Sequence, residues 1–446
     1  MSTALPTPQK PRKNQNYFQQ TAQNRMLVVV LGMVVLVPLL ALPTNHNAAN
    51  VANFALRLMA ALLAGILVFR VRFATNITQV QTFLATGANF AILLFLLDTV
   101  VSLFVASPEI RRIGAIDLMR VFTGVMLYFA LAYHVRRSEH LAKIQDALVV
   151  VAVVVAGFGL VNVQSMSQPL LRNPVGDHQL FGALLMMLFP ITLIAAITER
   201  DQKRRIIAGV SCAMTGVCLI FSQTRTSWVG AVGEVIALIL FSLIAPRKKN
   251  RDATTAQQFL IPALIVVSCM TLFVVASGSL TVFKGRMEGD SQKSALEYRN
   301  KMWYAAGELV KQKPLFGHGL GTYPVYQHQF SGYGRSGGDV LKDTPTLGEM
   351  AHSYWLQTAA EQGIVGVCAF AAIIGTFLLT GLSALRFRDG GIRRWVLLSS
   401  LAASVGFCID ALGNPAWQFA QISMFLWLSL GLGVAALRPN KQRGSD

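Results

Sequence analysis

This chain is short of charge. Only 13% of its 446 residues are Asp, Glu, Lys or Arg, whereas 53% are hydrophobic. Soluble domains carry about a quarter charged residues, so lipid must be the solvent for most of this chain. Cysteine is scarce as well. Cys212, Cys218, Cys269, Cys368 and Cys408 all lie in apolar runs, which excludes a disulfide framework or CxxC metal site in the polar segments. No Asp-rich metal motif occurs. His318, His328 and His352 share one region, but no pair has ligand spacing. The first 26 residues are polar, and the apolar run after them lacks a small-residue cleavage site, so no cleavable signal is expected.

Long apolar runs are what the chain has in abundance. A bilayer core is crossed by about 20 apolar residues in a helix, and backbone groups in lipid must be satisfied within the segment. Twelve spans are predicted, near 27–43, 51–69, 79–105, 113–134, 144–163, 178–198, 206–222, 227–245, 259–277, 353–385, 395–412 and 420–437. The fold class expected is an all-α polytopic membrane protein with one large extracytoplasmic loop region containing short helices. Its order is a cytoplasmic tail (1–26), nine spans (27–277), the loop (278–350), three spans (351–437) and a cytoplasmic tail (438–446). The third and tenth spans exceed a bilayer and are expected to tilt or project from it.

Basic residues are in excess, 39 against 21 acidic, but they are not scattered. "KPRK", "RRSEHLAK", "ERDQKRR", "PRKKNRD", "RFRDGGIRR" and "RPNKQR" fall between spans on one side. This is the positive-inside pattern, which puts both termini in the cytoplasm. Topology therefore accounts for the charge, and no nucleic-acid partner is expected.

Within the loop, "SALEYRNKMWYAAGELVKQK" reads as an amphipathic helix near 294–313, with Leu296, Trp303 and Val310 repeating at seven and Met302 and Leu309 beside them. Arg299 falls on that same stripe. The helix should stop at "KPLFGHGLGTYP".

Ionisable residues inside the spans violate the lipid rule and need a partner or water. Arg57, Asp98, Asp117, Arg120, Glu234 and Asp410 all fall in the outer halves of their helices. Asp117 and Arg120, three apart, can neutralise each other, and Arg57 can pair with Asp98 or Asp410. The shared depth also fits a polar basin opening outward. Two arginines sit on the side where topology disfavours them: Arg225 in the short turn "QTRTSW", and Arg172 in "QPLLRNPVGDHQLFG", which also places His178 at a span start. Each is either an interfacial anchor or a guanidinium fork for an anion such as phosphate.

His352 precedes the tenth span in "EMAHSYWLQTAAEQGIVG". Residues 352, 356, 359 and 363 share a helical face, which puts the imidazole at the polar end. An imidazole titrating near 6.5 can act as a general base at neutral pH.

Taken together, "SQTRTSWVG", "YRNKMWYAA…PLFGHGLGTY" and "AHSYWLQTAAEQGIVG", in this order around a large outer loop, resemble the O-antigen ligase (WaaL) family. That family belongs to a wider group with O-antigen polymerases and protein O-oligosaccharyltransferases. The resemblance implies an enzyme of the bacterial inner membrane with its active site on the periplasmic side. Such enzymes transfer a glycan from undecaprenyl pyrophosphate to lipid A–core in lipopolysaccharide biosynthesis. By position, Arg225 and Arg299 resemble the family's essential arginines, and His352 its essential histidine. Many members have Asn after that histidine where this chain has Ser353, so no amide role is assigned there. Arg172, His178 and Glu234 are further candidates for substrate contact. Neither metal nor cofactor is expected, since arginines can stabilise the departing pyrophosphate. A polymerase or protein O-oligosaccharyltransferase would use the same donor chemistry. A lipid-linked-sugar transporter would need polar groups through the inner half as well.

Overall fold

The computed structural model describes residues 27–32, 87–135, 137–161, 177–244, 290–342, 345–386 and 391–438. Most of the first span, the second and ninth spans, Arg57 and Arg172 lie outside these residues. No strand forms among the described residues.

Apolar runs become helices where they were expected. They are α1 (Gly87–Val105), α2 (Arg111–His134), α3 (Ser138–Val161), α4 (His178–Thr198), α5 (Gln202–Phe221) and α6 (Arg225–Ile244). The polar segment forms α7 (Asp290–Gln312) and three short helices, α8 (Tyr323–Tyr326), α9 (His328–Ser331) and α10 (Gly337–Lys342). The chain continues with α11 (Tyr354–Leu385), α12 (Ile392–Asp410) and α13 (Ala420–Leu437). Eight of the described helices are long and apolar enough to cross a membrane.

The surface of this bundle is inside-out for water. Along α1, Phe90, Leu94, Leu97, Val101 and Phe104 are all exposed, and along α6 so are Val229, Val232, Ile236, Leu240 and Leu243. Both sets recur every three or four residues, so each helix presents a continuous apolar stripe outward. Stripes of this size are tolerated only against another apolar phase. The chain is a multi-pass membrane protein.

At the centre stands α4, buried along nearly its whole length and packed on α3, α5, α6 and α12. On either side α12 packs on α6 and α13, α13 on α2, and α1 on α11. Glycines permit the closest crossings: at Gly124 a Cβ would stand 2.0 Å from Trp427, and at Gly233 2.3 Å from Ile409. Small residues fill this role in membranes because packing, not water exclusion, holds helices together.

Successive helices run antiparallel, which gathers two sets of ends. One carries basic side chains. Arg393 donates to the Ala435 and Arg438 carbonyls, Arg204 reaches Asp146, and Arg438 lies over Tyr133. The other, where α4, α6, α11 and α13 begin, carries the polar segment 290–353.

Two expectations are corrected by the structure. The tenth span is not a straight overlong helix: at Gly363 (φ 68°, ψ −167°) α11 breaks into two pieces. Segment 314–319 fills the break. The Ile364 and Val365 N–H groups donate to the Pro314 and Leu315 carbonyls, and those of His318 and Gly319 donate to Ala360 and Glu361. Nor is α7 buried along the expected stripe. Leu296 is exposed, whereas Met302 and Leu309, beside that stripe, are buried as expected and form the packed face together with Ala305 and Ala306. That face packs on α11 and α9, neighbours the sequence could not display.

Candidate active site

Two peptide turns at the polar end are bent into a conformation that L-residues avoid. Among the described residues, Gln223 (φ 52°) and His352 (φ 50°) are the non-glycine positions with positive φ. They lie in the "QTRTSW" and "AHSYW" motifs. Strain of this kind persists only where its surroundings hold it, and it concentrates at functional sites.

His352 stands outside α11, not on its face, because Ser353 is the N-cap: its Oγ accepts the Leu356 N–H at 3.3 Å. Ser and Asn are both strong N-caps, which gives position 353 a backbone role either residue can fill. The Tyr354 N–H donates to the Ala411 carbonyl at 2.9 Å, tying this start to the end of α12. On the other flank the Ala351 N–H donates to Gln357 Oε1 at 3.2 Å. Gln357 in turn donates to Glu361 at 3.1 Å.

Both carboxylates of this polar lip are structurally occupied. Glu349 receives Arg335 at 2.5 and 3.0 Å and the Thr346 N–H at 2.7 Å. Burial opposes its ionisation, but these donors and the Arg335 charge hold its pKa below the usual range. Glu361 accepts the Tyr323 N–H at 3.2 Å and holds the loop against the break in α11.

His352 is different. Its ring is 5% exposed, yet neither ring nitrogen has a hydrogen-bond partner. Tyr298 of α7 packs edge-on against it at 5.4 Å. Burial, then the nearby Arg299 charge, brings its pKa down to about 4, with Asp177 opposing and His178 reinforcing the fall. The imidazole is therefore neutral at physiological pH, with a lone pair available.

Arg299 reaches this place from the buried face of α7, one turn before Met302. It lies within electrostatic range of His352, Arg225 and Asp410. Burial and the second guanidinium both pull its pKa down, while Asp410 opposes them. Arg225, exposed, is the first residue of α6, where the helix dipole already favours negative charge. A cation at that end is misplaced for helix stability and well placed for an anion. The turn before it is fixed by Thr224 Oγ1, which donates to the His178 carbonyl at 2.8 Å.

Behind the arginines lies Asp410, fully buried. It accepts from Ser227 (2.8 Å), Asn414 (3.2 Å) and Trp417 (2.9 Å).

The structure thus brings His352, Arg299 and Arg225 to one place, with His178 beside them. Glu234 is instead enclosed between α6 and α12, its carboxyl against Gly406, and makes no hydrogen bond. Asp117 and Arg120 pair at 3.2 Å, and Arg120 also donates to Gln418, so this pair packs helices together. His318 and His328 each bond a nearby backbone carbonyl. Sequence reasoning missed Asp177 and Tyr298. For Asp177 a signal existed, since Asp just before an apolar helix marks an N-cap; for Tyr298 there was none.

Residues 210–371, which include Arg225, Arg299 and His352, match the family model described as O-Antigen ligase (Wzy_C). An uncharacterized protein of Haemophilus influenzae is 21% identical over 294 residues, 64% of this chain and 70% of that relative. The two arginines and the histidine all fall within the matched region, over which the chain is similar to the O-antigen ligase family.

Proposed function

We propose that this protein transfers a glycan from undecaprenyl pyrophosphate to a sugar hydroxyl of lipid A–core on the periplasmic face of the bacterial inner membrane. The observation that carries this reading is His352: a buried, neutral imidazole with two unpartnered nitrogens in the field of Arg299, which Arg225 faces in turn.

In the reaction, a ring nitrogen of His352 takes the proton of the acceptor hydroxyl as its oxygen attacks the anomeric carbon. The bond from that carbon to the phosphate oxygen breaks, and its electron pair leaves with the lipid pyrophosphate. Arg225 and Arg299 meet the charge that grows there. Donors aimed at developing charge lower the barrier more than donors that only bind substrate. Attack from the face opposite the pyrophosphate inverts the anomeric centre. The guanidinium pair does what a divalent ion does in many pyrophosphate enzymes, so transfer is expected without added metal. Both substrates carry lipid anchors, which suits a site at the end of a membrane bundle.

The test is transfer with purified protein, lipid-linked donor and core acceptor, with and without chelator. His352→Ala and Arg225→Ala are each expected to abolish transfer in folded protein; full activity of His352→Ala removes the base assignment. The family match equally accommodates a polymerase. A strain lacking the protein separates the two, since a lost ligase leaves long unattached lipid-linked glycan and a lost polymerase leaves single repeat units.

A further inference from the structure

The turn after α7 exposes apolar side chains in the middle of the polar segment. Leu315 and Phe316 are 59% and 56% exposed. Their turn is hydrogen-bonded to the start of the second piece of α11, where Ile364 and Val365 are exposed as well. From there Cys368, Ala371, Ala372 and Leu379 continue an exposed stripe along α11. The neighbouring α1 carries its own stripe, which includes Leu97, Val101 and Phe104.

Contacts with α1 fix the depth of this turn. At Gly366 a Cβ would stand 2.8 Å from Asp98 Oδ2, and Ser102 Oγ donates to the Glu361 carbonyl at 3.2 Å. Residues 361–366 are therefore level with Asp98 to Ser102. Phe104, nearer the polar end, still faces outward on the lipid-facing stripe. The backbone of the turn is also prepared for an apolar solvent. The Lys313 carbonyl accepts the Gly317 N–H at 3.1 Å, and the Pro314 and Leu315 carbonyls accept Ile364 and Val365 at 2.9 and 3.3 Å. Non-helical backbone is tolerated at membrane depth only where the protein supplies such partners.

We propose that Leu315 and Phe316 form a wedge seated in the bilayer, which extends the lipid-facing surface of α11 into the polar segment. Two features select bilayer lipid as what covers them. Through Ile364 and Val365 the wedge is continuous with the stripe of α11. Basic side chains also edge the region: Lys311 and Lys313 are exposed just before the wedge. At the end of α1, Arg111 donates to the Phe104 carbonyl at 3.2 Å and lies over that ring at 5.8 Å. At a membrane boundary such residues lay their stems on apolar surface and put their charge among headgroup phosphates. The wedge follows α7 directly and is bonded into the break of α11. Lipid contact there anchors the helix that carries Arg299 to the membrane surface.

The test is fluorine NMR of the full-length protein in lipid nanodiscs, with para-trifluoromethylphenylalanine in place of Phe316. The label keeps the shape of an exposed phenylalanine, so the fold is preserved. The same label at Phe104 reports lipid, and at Lys342, whose side chain is 80% exposed, it reports water. Each signal is broadened in turn by a doxyl-labelled lipid and by a water-soluble gadolinium chelate. The ratio of lipid-borne to water-borne broadening at Phe316 is expected to match that at Phe104 and to exceed that at Lys342. A ratio like that of Lys342 puts the turn in water and overturns the proposal. Protection from both agents overturns it too, because a second copy of the chain then covers the wedge. The readout does not depend on glycan transfer, so it stands or falls apart from the function proposed above.

Discussion

Replacing Gly363 by Ala tests whether the break in α11 builds the site. Its φ of 68° and ψ of −167° lie in a region open essentially to glycine alone; a side chain there costs about 1–3 kcal/mol. Space is the second obstacle. A Cβ at 363 would stand 2.2 Å from the Leu315 carbonyl oxygen and 2.6 Å from the Phe316 nitrogen. These are backbone atoms, so the loop has to withdraw. Withdrawal breaks the bonds from Ile364 to Pro314 and from Val365 to Leu315, at about 1 kcal/mol each. Together these come to roughly 3–5 kcal/mol. The withdrawn segment follows directly on α7, so Arg299 should lose its alignment with His352 and transfer should fall with stability. The control is Gly375→Ala, also in α11, where a Cβ meets nothing within 4 Å. There the change is expected to be neutral or stabilising by up to about 1 kcal/mol. Both variants are measured by thermal melting in detergent and by glycan transfer. Wild-type melting and activity in Gly363→Ala refute the reasoning.

Acid should unfold the protein partly through His352. Its pKa of about 4 lies below the ordinary 6.5, so the unfolded chain binds the extra proton first and stability falls as pH drops from 6.5 to 4. The integrated loss is about 3 kcal/mol. Melting of His352→Gln should show correspondingly less acid sensitivity, and identical pH dependence refutes the burial argument. Arg225→Lys should lose most activity, because a lysine supplies charge without the planar fork; a wild-type rate shows that charge alone suffices. Arg299→Ala should lower kcat more than it raises KM for the donor, since its contact strengthens as the pyrophosphate departs. An effect on KM alone would make Arg299 a ground-state binder. Glu349→Gln leaves Arg335 without its charged partner, and should lower the melting midpoint while the His352 titration stays near its wild-type value.

The sequence by itself determined what local chemistry can determine. Runs of about 20 apolar residues in a charge-poor chain have to be membrane helices. Basic residues between them have to collect at one end of an antiparallel bundle, and Arg393, Arg204 and Arg438 do so. Arg225, Arg299 and His352 were each conspicuous because each put polar chemistry at an apolar boundary. What sequence periodicity could not supply was direction. The buried face of α7 follows from what lies beside it, α11 and α9, and so Leu296 points out while Met302 points in.

Only the tertiary structure decided the rest. The tenth span breaks at Gly363, where a distant loop hydrogen-bonds into it. His352 leaves its helix because Ser353 caps it, which turns the imidazole toward Arg299 rather than along α11. Glu349 and Glu361, as polar as His352 on paper, are consumed by Arg335 and by the Tyr323 N–H of the loop. Whether a buried polar group is structural or reactive depends on whether something else satisfies it. That is a property of three-dimensional neighbours, which a one-dimensional pattern does not contain.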